Sequence, residues 1–333
     1  MSKIRVLPEW VPQACLWVGW PSDRDLWEDD LAGAQREVAG LVNAISDRLP
    51  VRLVASTVEA AETAKNQCFG HVTVRILPMG DIWLRDTGPI YAVHNHQPVG
   101  LTFAFNGWGG KYDLPGDRET ASAMLGVDRF AAKPHSFVLE GGAVDQDGTG
   151  TLLTTRQCLL NPNRNPAWTE ADGEAALKSA FGATRIIWLT EGLAGDHTDG
   201  HIDNIARFVA PGRVVCQQPT GRDDPNADVY LAIEAGLRDT GLSVITIPSP
   251  GRIESADGVA AASHLNFVFA NGRLIVPVYD EAIGARAVAA LQASLPQFEV
   301  IGQPSNAILT GGGSFHCISQ QIPADLFDVE DAP

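Results

Sequence analysis

The chain has 333 residues, 45% of them hydrophobic and 19% charged, which is enough apolar material for a sizeable buried core and excludes a disordered or fibrous protein. Its 24 basic residues are outnumbered by 40 acidic ones and form no cluster, so the formal charge of −16 excludes a nucleic-acid partner. An acidic surface favours a small cationic ligand, although it also serves solubility.

The start of the chain, MSKIRVLPEWVPQ, lacks the apolar stretch of a signal peptide. No segment reaches the roughly 20 apolar residues of a membrane span, so we expect no membrane partner. The cysteines are odd in number, widely spaced and without a CxxC pattern, which argues against disulfides and structural zinc: Cys15, Cys68, Cys158, Cys216 and Cys317. We therefore expect a cytoplasmic location, and the sequence leaves a homo-oligomer open.

Helices are predicted where apolar residues recur with helical spacing, and each is followed by a short β-rich run. The helices are expected at about 28–48, 117–126, 169–181, 226–240 and 281–295, with a further helix and strand within 57–77. The β-rich runs begin at VRLVAS (51), FAAKPHSFVL (130), TRIIWL (184), SVITI (243) and FEVIG (298).

Between these helix–strand pairs lie stretches typical of strand, turn and strand. They begin at 84, 141, 202 and 264, and the C-terminal SFHCISQQI is expected to pair with CLWVGW at 15. The result is about five units of roughly 50 to 60 residues, each too small to bury its own apolar face. We expect them to pack around a common axis into one domain spanning residues 1–333, and no glycine-rich loop has the spacing of a phosphate site.

Charged and nucleophilic residues lie where predicted strands begin or end, beside glycines: Asp86, Glu140, His201, Asp203 and Cys317. Each has an ordinary structural interpretation as well. Asp86 precedes a Thr-Gly-Pro turn, and Glu140 before two glycines could be a solvated strand end. Cys317 follows three glycines in a setting that suggests exposure, yet a free cysteine is commonly buried in a core.

The HTDGH segment places two histidines four residues apart but is poor in helix formers and lacks the HExxH glutamate, so we expect no metal there. We expect His201 and Asp203, at spacing two within a strand, to project from the same face. A histidine beside a carboxylate suits proton transfer.

One thiol, one histidine and three carboxylates together suit a cationic ligand, because several carboxylates in one pocket are costly without a cation. A protease-like site would not need the additional acids. A planar guanidinium meets the requirement, since its N–H groups pair bidentately with carboxylates.

Five blocks in order, over nearly the whole chain, resemble the agmatine deiminase family, which is grouped with bacterial peptidyl-arginine deiminases among the guanidino-group-modifying enzymes. The blocks are WLRDTGPIY (83–91), FNGWGGKY (105–112), EGGAVDQDGTGTLLTT with CLLNPNRNP (140–166), DGHIDNIARFVAPGRVV (199–215) and GGGSFHCISQQIP (311–323). The resemblance implies the pentein fold, an α/β-propeller of five ββαβ-type units with pseudo-fivefold symmetry around a central active site.

The same resemblance implies hydrolytic deimination of agmatine to N-carbamoylputrescine and ammonia, within polyamine biosynthesis towards putrescine, without metal or organic cofactor. Cys317 would be the nucleophile, forming an S-alkylthiouronium intermediate, and His201 the general acid and base. Asp86 and Asp203 would grip the guanidinium, and Glu140 would aid orientation and proton handling. Because nearby acids raise a thiol's pKa, we expect formation of the Cys317 thiolate to be coupled to substrate binding or to His201 protonation.

The walls and mouth of the pocket are less determined by the sequence. Trp83 and Trp108 are candidates for stacking on the substrate cation, with core packing or loop anchoring as the alternative for each. Four residues before His201, where the family's agmatine enzymes commonly have an acid for the distal ammonium, stands His197. Its neighbours Asp196 and Asp199 could replace that acid. Ser314 and Phe315 also depart from the usual Asn and Ile.

His197 keeps a second substrate class open, namely free arginine, a methylated arginine or peptidyl-arginine, with either hydrolysis or amidino transfer. A third hypothesis is a non-catalytic protein that only binds a cation in the same pocket.

Overall fold

The β-strands of the computed structural model, which describes residues 4–255 and 258–327, form five sheets of three or four strands. A short ribbon, Glu254–Ser255 with Gly258–Val259, stands apart from them. Each of the five sheets contains an antiparallel strand pair followed by a strand parallel to its second member. The repeated unit predicted from the sequence is therefore present as a repeated sheet topology.

The five sheets have the following strands, with each antiparallel pair first: Ile90–His94, Gln97–Ala104 and Ala131–Val138; Asp145–Gln146, Thr151–Thr155 and Arg185–Leu189; Ala206–Ala210, Arg213–Gln218 and Ser243–Pro248; Val268–Ala270, Arg273–Val278 and Glu299–Pro304; Ser319–Pro323, Gln13–Gly19 and Val51–Ala55. Two sheets gain an edge strand: Ile4–Val6 pairs antiparallel with Ile90–His94, and Val72–Ile76 pairs parallel with Val51–Ala55.

The parallel strands are joined through helices, because a parallel pair needs a crossover longer than a turn. The longer helices in the described part of the chain are Leu31–Ile45, Val58–Gln67, Asp117–Asp128, Glu170–Phe181, Ala227–Asp239 and Glu281–Ser294. Short helical turns occur at Arg24–Trp27, Leu84–Thr87, Gly107–Gly110, Arg156–Leu159 and Asn306–Thr310. The helices and strands predicted from periodicity are confirmed, with boundary shifts of a few residues.

Local sequence accounts for these helices. In Leu31–Ile45 the buried residues Ala34, Val38, Leu41 and Ile45 recur at spacings of three and four and face the core. Side chains also satisfy free amides at helix starts, as Thr169 does in a reciprocal capping box with Asp172.

The two ends of the chain share one sheet, as the sequence predicted. Ser319–Pro323 runs antiparallel to Gln13–Gly19, with Gln320 opposite Trp17. This pairing fixes Cys317 two residues before a buried strand. None of the helices in the described ranges is long and apolar enough to cross a membrane.

Candidate active site

The candidate residues come from one repeated place in the topology, the segment just before the first strand of each antiparallel pair. Asp86 precedes Ile90–His94, Glu140 precedes Asp145–Gln146, and Asp203 precedes Ala206–Ala210. Asn266 and Cys317 take the same place before Val268–Ala270 and Ser319–Pro323. Sheets with a common topology therefore present their polar side chains at equivalent positions.

The strand predicted for His201 and Asp203 is wrong. His201 is the residue before a 3₁₀ turn, Ile202–Asn204, and Asp203 lies inside that turn. Strand alternation therefore does not bring the two together. They converge because the turn folds beside Gly142, where an added Cβ would lie 2.6 Å from His201 Nδ1 and 3.0 Å from both Asp203 Oδ2 and Asp86 Oδ1.

Cys317 is 5% exposed, so the expectation of an exposed setting is wrong, and all five cysteines are free and buried. Its thiol nevertheless borders a cavity. Asn266 Nδ2 donates to Cys317 Sγ at 3.0 Å, and Asn266 Oδ1 accepts the backbone N–H groups of His316 and Cys317. The amide therefore holds both the sulfur and the backbone that carries it.

The charges around Cys317 oppose its ionisation. Burial, followed by the negative charges of Asp203 and Asp86, raises the pKa of the Cys317 thiol well above its ordinary value. Asp203 Oδ2 lies 3.6 Å from Cys317 Sγ and accepts from the thiol. In the substrate-free protein the sulfur is therefore a neutral thiol at physiological pH.

His201 has the opposite tendency. Burial lowers its pKa, but Asp86, Cys158 and Glu140 outweigh burial and raise the pKa well above the ordinary value. Its Nδ1 lies 3.7 Å from Asp86 Oδ2 and its Nε2 lies 4.0 Å from Glu140 Oε2. His201 is consequently a protonated imidazolium that can give up a proton.

The three carboxylates are held in different ways. Asp86 accepts from Trp108 Nε1 at 2.8 Å and from the Gly142 amide at 2.9 Å, while burial raises its pKa first and the other acids add to that. Glu140 Oε1 accepts from Arg164 Nε at 2.7 Å, and its Oε2 has no partner among the described residues.

The side chain of Asp203 is held in place by a second buried histidine, His316. His316 Nδ1 lies 2.7 Å from Asp203 Oδ2, and His316 Nε2 lies 2.8 Å from Glu9 Oε1. Burial raises the pKa of Asp203, but the hydrogen bond and charge of His316 overcome burial, so the pKa lies below its usual value. Asp203 is therefore ionised, and its Oδ1 lacks a partner within the described structure.

A cavity of about 210 Å³ leads from the surface to Asp86 and Cys317. His201, Asp203 and Glu140 lie beneath its floor, with 0 to 1% exposure. Trp83 and Trp108 line the cavity and also belong to the apolar core, so both tryptophans have a packing role, and their stacking on the substrate cation stays a prediction.

Asp81 and Trp27 complete the cavity wall and were not predicted. Asp81 accepts from Trp27 Nε1 at 3.0 Å and from Trp83 Nε1 at 2.8 Å, and the two indoles stack with centroids 6.1 Å apart. Burial raises the pKa of this carboxyl. Asp81 lies two residues before the block 83–91 that contains Asp86, and its position two residues before a tryptophan was the available signal.

His197 lies at the cavity mouth, exposed, with Nδ1 2.9 Å from the Tyr112 hydroxyl. The neighbouring acids do not replace the missing one. Asp199 is paired with Arg164 and Lys111, and Asp196 Oδ1 accepts from Thr198 within its own turn.

Ser314 and Phe315 are buried and do not line the cavity, so these departures do not shape its mouth. Sequence reasoning also missed Asn266, Arg164 and His316. Each of these residues is adjacent to a predicted element, but its role depends on contacts 24 to 113 residues away in the chain.

A larger surface groove of about 720 Å³ lies between the helix Leu31–Ile45 and the segment 303–310. Its lining, among the described residues, contains no cysteine and no histidine. The groove therefore lacks the thiol and the imidazole that the smaller cavity has at or beneath its floor.

Comparison with known proteins gives a consistent result over nearly the whole chain. The profile of the Porphyromonas-type peptidyl-arginine deiminase family matches residues 5–323. The agmatine deiminase of Pseudomonas aeruginosa is 36% identical over 354 residues, covering 96% of this chain and 95% of that protein.

Solved structures agree. The agmatine deiminase of C. jejuni, solved as a cysteine-to-serine variant with substrate bound, superposes with a TM-score of 0.92 at 30% identity, covering 98% of both chains. A dimethylarginine dimethylaminohydrolase, at 14% identity and a TM-score of 0.51, covers 93% of this chain and 100% of its own and shares the fold. The α/β class expected from the sequence is confirmed, with pentein-type neighbours.

Proposed function

The chain belongs to the Porphyromonas-type peptidyl-arginine deiminase family and is a hydrolase of amidine C–N bonds, and from this premise we propose that it deiminates agmatine to N-carbamoylputrescine and ammonia. The observation that carries the proposal is a cavity that ends at Cys317 and Asp86, to which close contacts join three buried residues, Asp203, His201 and Glu140. Three carboxylates facing a thiol provide a site for a cationic carbon electrophile.

In the first half-reaction the guanidinium enters between the carboxylates, and its positive charge lowers the pKa of the Cys317 thiol, which the empty pocket keeps protonated. The thiol proton is released to solvent. The sulfur forms a bond to the guanidinium carbon. His201 donates its proton to the departing nitrogen, the C–N bond breaks, and ammonia leaves. An S-alkylthiouronium on Cys317 remains.

In the second half-reaction His201, now neutral, takes a proton from a water molecule. The water oxygen bonds to the thiouronium carbon, and the C–S bond breaks so that the sulfur departs as thiolate. The ureido oxygen loses its remaining proton, which restores the Cys317 thiol, and the proton first released to solvent converts the ammonia to ammonium. Asp203 Oδ1 and Glu140 Oε2, both without a partner in the described structure, supply acceptors for the guanidinium N–H groups.

The cavity also suits the remainder of agmatine. Its tetramethylene chain would lie against the indole rings of Trp83 and Trp108, and Asp81 offers a carboxylate for the distal ammonium. Asp81 would therefore bind the distal ammonium, a role for which His197 lacks a carboxylate.

Incubation of the purified protein with agmatine tests the proposal, with ammonia and the ureido product measured together. We expect Cys317→Ala to remove turnover while its thermal unfolding stays close to that of the parent, and Cys68→Ala to serve as a thiol control that retains activity. A well-folded parent without turnover would overturn the substrate assignment. It would also favour the non-catalytic binding alternative if agmatine still bound.

Asp81→Asn tests the tail contact. The amide keeps the cavity's shape but removes the charge, so KM for agmatine should rise about 10- to 100-fold, as for loss of a charged hydrogen bond, with a much smaller change in kcat. Asp239→Asn, an exposed acid at the end of the helix Ala227–Asp239 and not part of the cavity lining, is the control. An unchanged KM would exclude Asp81 from tail recognition.

The His197–Tyr112 pair at the mouth favours a second candidate, deimination of a guanidino compound with a neutral or anionic tail. A panel of agmatine, arginine, methylated arginine and a peptidyl-arginine, ranked by kcat/KM, separates the two. A clear preference for agmatine would exclude the second candidate. Added acceptor amines would reveal amidino transfer through an amidinated product.

Finer statements about the architecture and setting are part of the same proposal. The five sheets would surround a central axis with pseudo-fivefold symmetry in a single catalytic domain over residues 1–333. The equivalent placement of a polar residue before each antiparallel pair supports this arrangement. A cytoplasmic location and a role in polyamine biosynthesis towards putrescine rest on the family resemblance and on the free cysteines.

A further inference from the structure

A second buried thiol lies beside the proposed proton-transfer histidine. Cys158, in the helical turn Arg156–Leu159, is 1% exposed and has no part in the chemistry proposed above. Its Sγ, a ring nitrogen of His201 and a carboxylate oxygen of Glu140 all lie within 4.8 Å of one another. Within the described residues, these three form a compact set of nitrogen, oxygen and sulfur donors drawn from three separate segments.

The donor atoms in this cluster are under-used. Glu140 Oε2 is buried and has no hydrogen-bond partner among the described residues, and the ring nitrogens of His201 have at most a weak hydrogen bond with Cys158. Arg164 holds only Glu140 Oε1, at 2.7 Å, which leaves Oε2 facing His201 Nε2 at 4.0 Å. The ring nitrogens of His201 lie 3.7 Å from Asp86 Oδ2 and 4.0 Å from Glu140 Oε2, which is too far for good hydrogen bonds. Buried polar atoms are nearly always partnered, so a metal ion that replaces a ring proton would give these atoms a closer partner.

The donor types identify the cation. A thiolate, an imidazole and a carboxylate suit a tetrahedral ion of intermediate softness, with ligand distances of about 2.0 to 2.3 Å that put donor atoms roughly 3.3 to 3.6 Å apart. Small side-chain rotations close the difference from the observed separations. The charge balance also suits a dication: Asp86 and Asp203 lie nearby, and the positive charge of Arg164 is matched by its ion pairs with Glu140 and Asp199.

We propose that Glu140, Cys158 and His201 form an inhibitory zinc site in which Cys158, rather than Cys317, is the sulfur ligand. On binding, the Cys158 thiol and the His201 imidazolium each release one proton to solvent, and Zn–S and Zn–N bonds form without redox change. The bound ion uses the side chains of His201 and Glu140 as ligands. His201 then cannot protonate the departing nitrogen, and Glu140 cannot bind the guanidinium. Zinc and substrate therefore exclude each other. The binding stands without the proposed function, whereas the inhibition rests on it.

Cobalt binding tests the ligand set independently of activity. In a Cys317→Ser variant of the full chain, Co²⁺ should produce a thiolate-to-metal charge-transfer absorption, which Zn²⁺ should abolish by displacing it. The band should disappear in Cys317→Ser/Cys158→Ala and weaken in Cys317→Ser/Glu140→Gln, but persist in the matched Cys317→Ser/Cys68→Ala control. Thermal unfolding of each variant checks its fold. Absence of the band in Cys317→Ser, or its persistence without Cys158, would overturn the proposal.

Inhibition supplies the second readout. Zn²⁺ should inhibit agmatine turnover by the metal-free enzyme, a chelator should restore it, and Cys158→Ala should need about 100-fold more zinc for the same fractional inhibition. Equal sensitivity of the parent and Cys158→Ala would show that Cys317 is the ligand and would reject the proposed site. If no guanidino compound is turned over at all, the proposed function fails while the cobalt result still decides the metal site.

Discussion

At the scale of single residues, the charges in the pocket keep the nucleophile protonated until a substrate binds. Burial and the charges of Asp203 and Asp86 raise the pKa of the Cys317 thiol, whereas the charges of Asp86 and Glu140 raise the pKa of His201 against the effect of burial. The positive charge of a bound guanidinium lowers the pKa of the Cys317 thiol and so favours the thiolate. The nucleophile is therefore expected to be activated by the substrate that it attacks, which prevents it from reacting with unrelated electrophiles.

The pH dependence of alkylation follows from the raised pKa of Cys317. Iodoacetamide, which is neutral, should modify Cys317 slowly at pH 7, and the rate should rise with pH to well beyond 9, because the thiolate is the reactive form. A cationic haloacetamidine should react disproportionately faster at pH 7 by supplying the missing positive charge. Mass spectrometry of the Cys317 peptide measures both rates, each normalised to glutathione. Equal normalised rates for the two reagents would contradict substrate-assisted activation.

The sequence predicted the residues of this site better than their surroundings. Cys317, Asp86 and Glu140 stand in distinctive blocks beside glycines, and such blocks can be recognised in one chain. Asn266 and Asp81 could not be assigned in this way. Each lies in a stretch that reads as an ordinary strand or turn, and each obtains its role from a partner on another segment.

At the scale of elements, short turns next to the strands decide where the side chains of the site point. The turn Gly107–Gly110 holds Trp108 at φ 53° and ψ 48°, a left-handed conformation that non-glycine residues rarely adopt, and directs its indole N–H to Asp86. In the turn Gly141–Ala143, the absence of a side chain at Gly142 leaves room for the three groups around it. These turns fix the positions of the side chains in the site more precisely than the strands alone do.

Gly142→Ala should remove activity without unfolding the protein. The backbone at Gly142 is not in the left-handed region, so alanine fits the chain, but its Cβ would lie 2.6 Å from His201 Nδ1. We expect kcat/KM for agmatine to fall by roughly 100-fold or more, because small displacements of reacting groups are this costly. Gly126→Ala, in the helix Asp117–Asp128 with nothing within 4 Å, is the matched control and should keep full activity. Comparable kcat/KM values for the two variants would exclude the crowded site inferred here.

The elements themselves followed from the sequence with few errors. Helical spacing and β-rich runs predicted the repeated units, and the pairing of the two chain ends was predicted from SFHCISQQI and CLWVGW. The error at His201 and Asp203 has a physical reason. Two polar residues at spacing two are compatible with a strand and with a 3₁₀ turn, and the backbone bonds that favour the turn involve residues outside the pair.

At the scale of the whole molecule, one buried ionic network joins the start of the chain to the catalytic centre. Glu9 accepts from Arg207 at 2.7 Å, from His316 at 2.8 Å and from Arg85 at 3.3 Å. His316 also pairs with Asp203, and this pair links Glu9 to the active site. The N-terminal segment is therefore part of the support of the active site, although it lies more than 300 residues from the nucleophile in sequence.

Glu9→Gln should destabilise the fold. Removing one charge from a buried network leaves its partners uncompensated, so the free energy of unfolding should fall by about 3 to 5 kcal/mol at pH 7, measured with urea. Glu62→Gln, an exposed acid on the helix Val58–Gln67, should change it by no more than about 0.5 kcal/mol. A Glu9→Gln variant as stable as the Glu62→Gln control would show that the network contributes little to folding.

The same network sets the acid limit of stability. Burial raises the pKa of Glu9, but the charges of Arg207, His316 and Arg85 together lower it by more, so that it lies well below its usual value. The pKa of Asp203 also lies below its usual value. A carboxyl with a depressed folded-state pKa stabilises the fold above its unfolded pKa, and this is lost as the pH falls through the folded value. The parent should therefore lose stability below about pH 4, and Glu9→Gln should lose less over that range.

The sequence by itself determined the repeated α/β units, the acidic character and the chemical groups of the site, because periodicity, charge and distinctive blocks are local properties of a chain. Only the tertiary structure decided that Cys317 is buried, that Asn266 and His316 position the nucleophile and its acid, and that Asp81 faces the cavity. Those properties come from contacts between segments distant in sequence. Burial and the electric field at a side chain depend on the packing of all five sheets, which no single stretch of the chain contains.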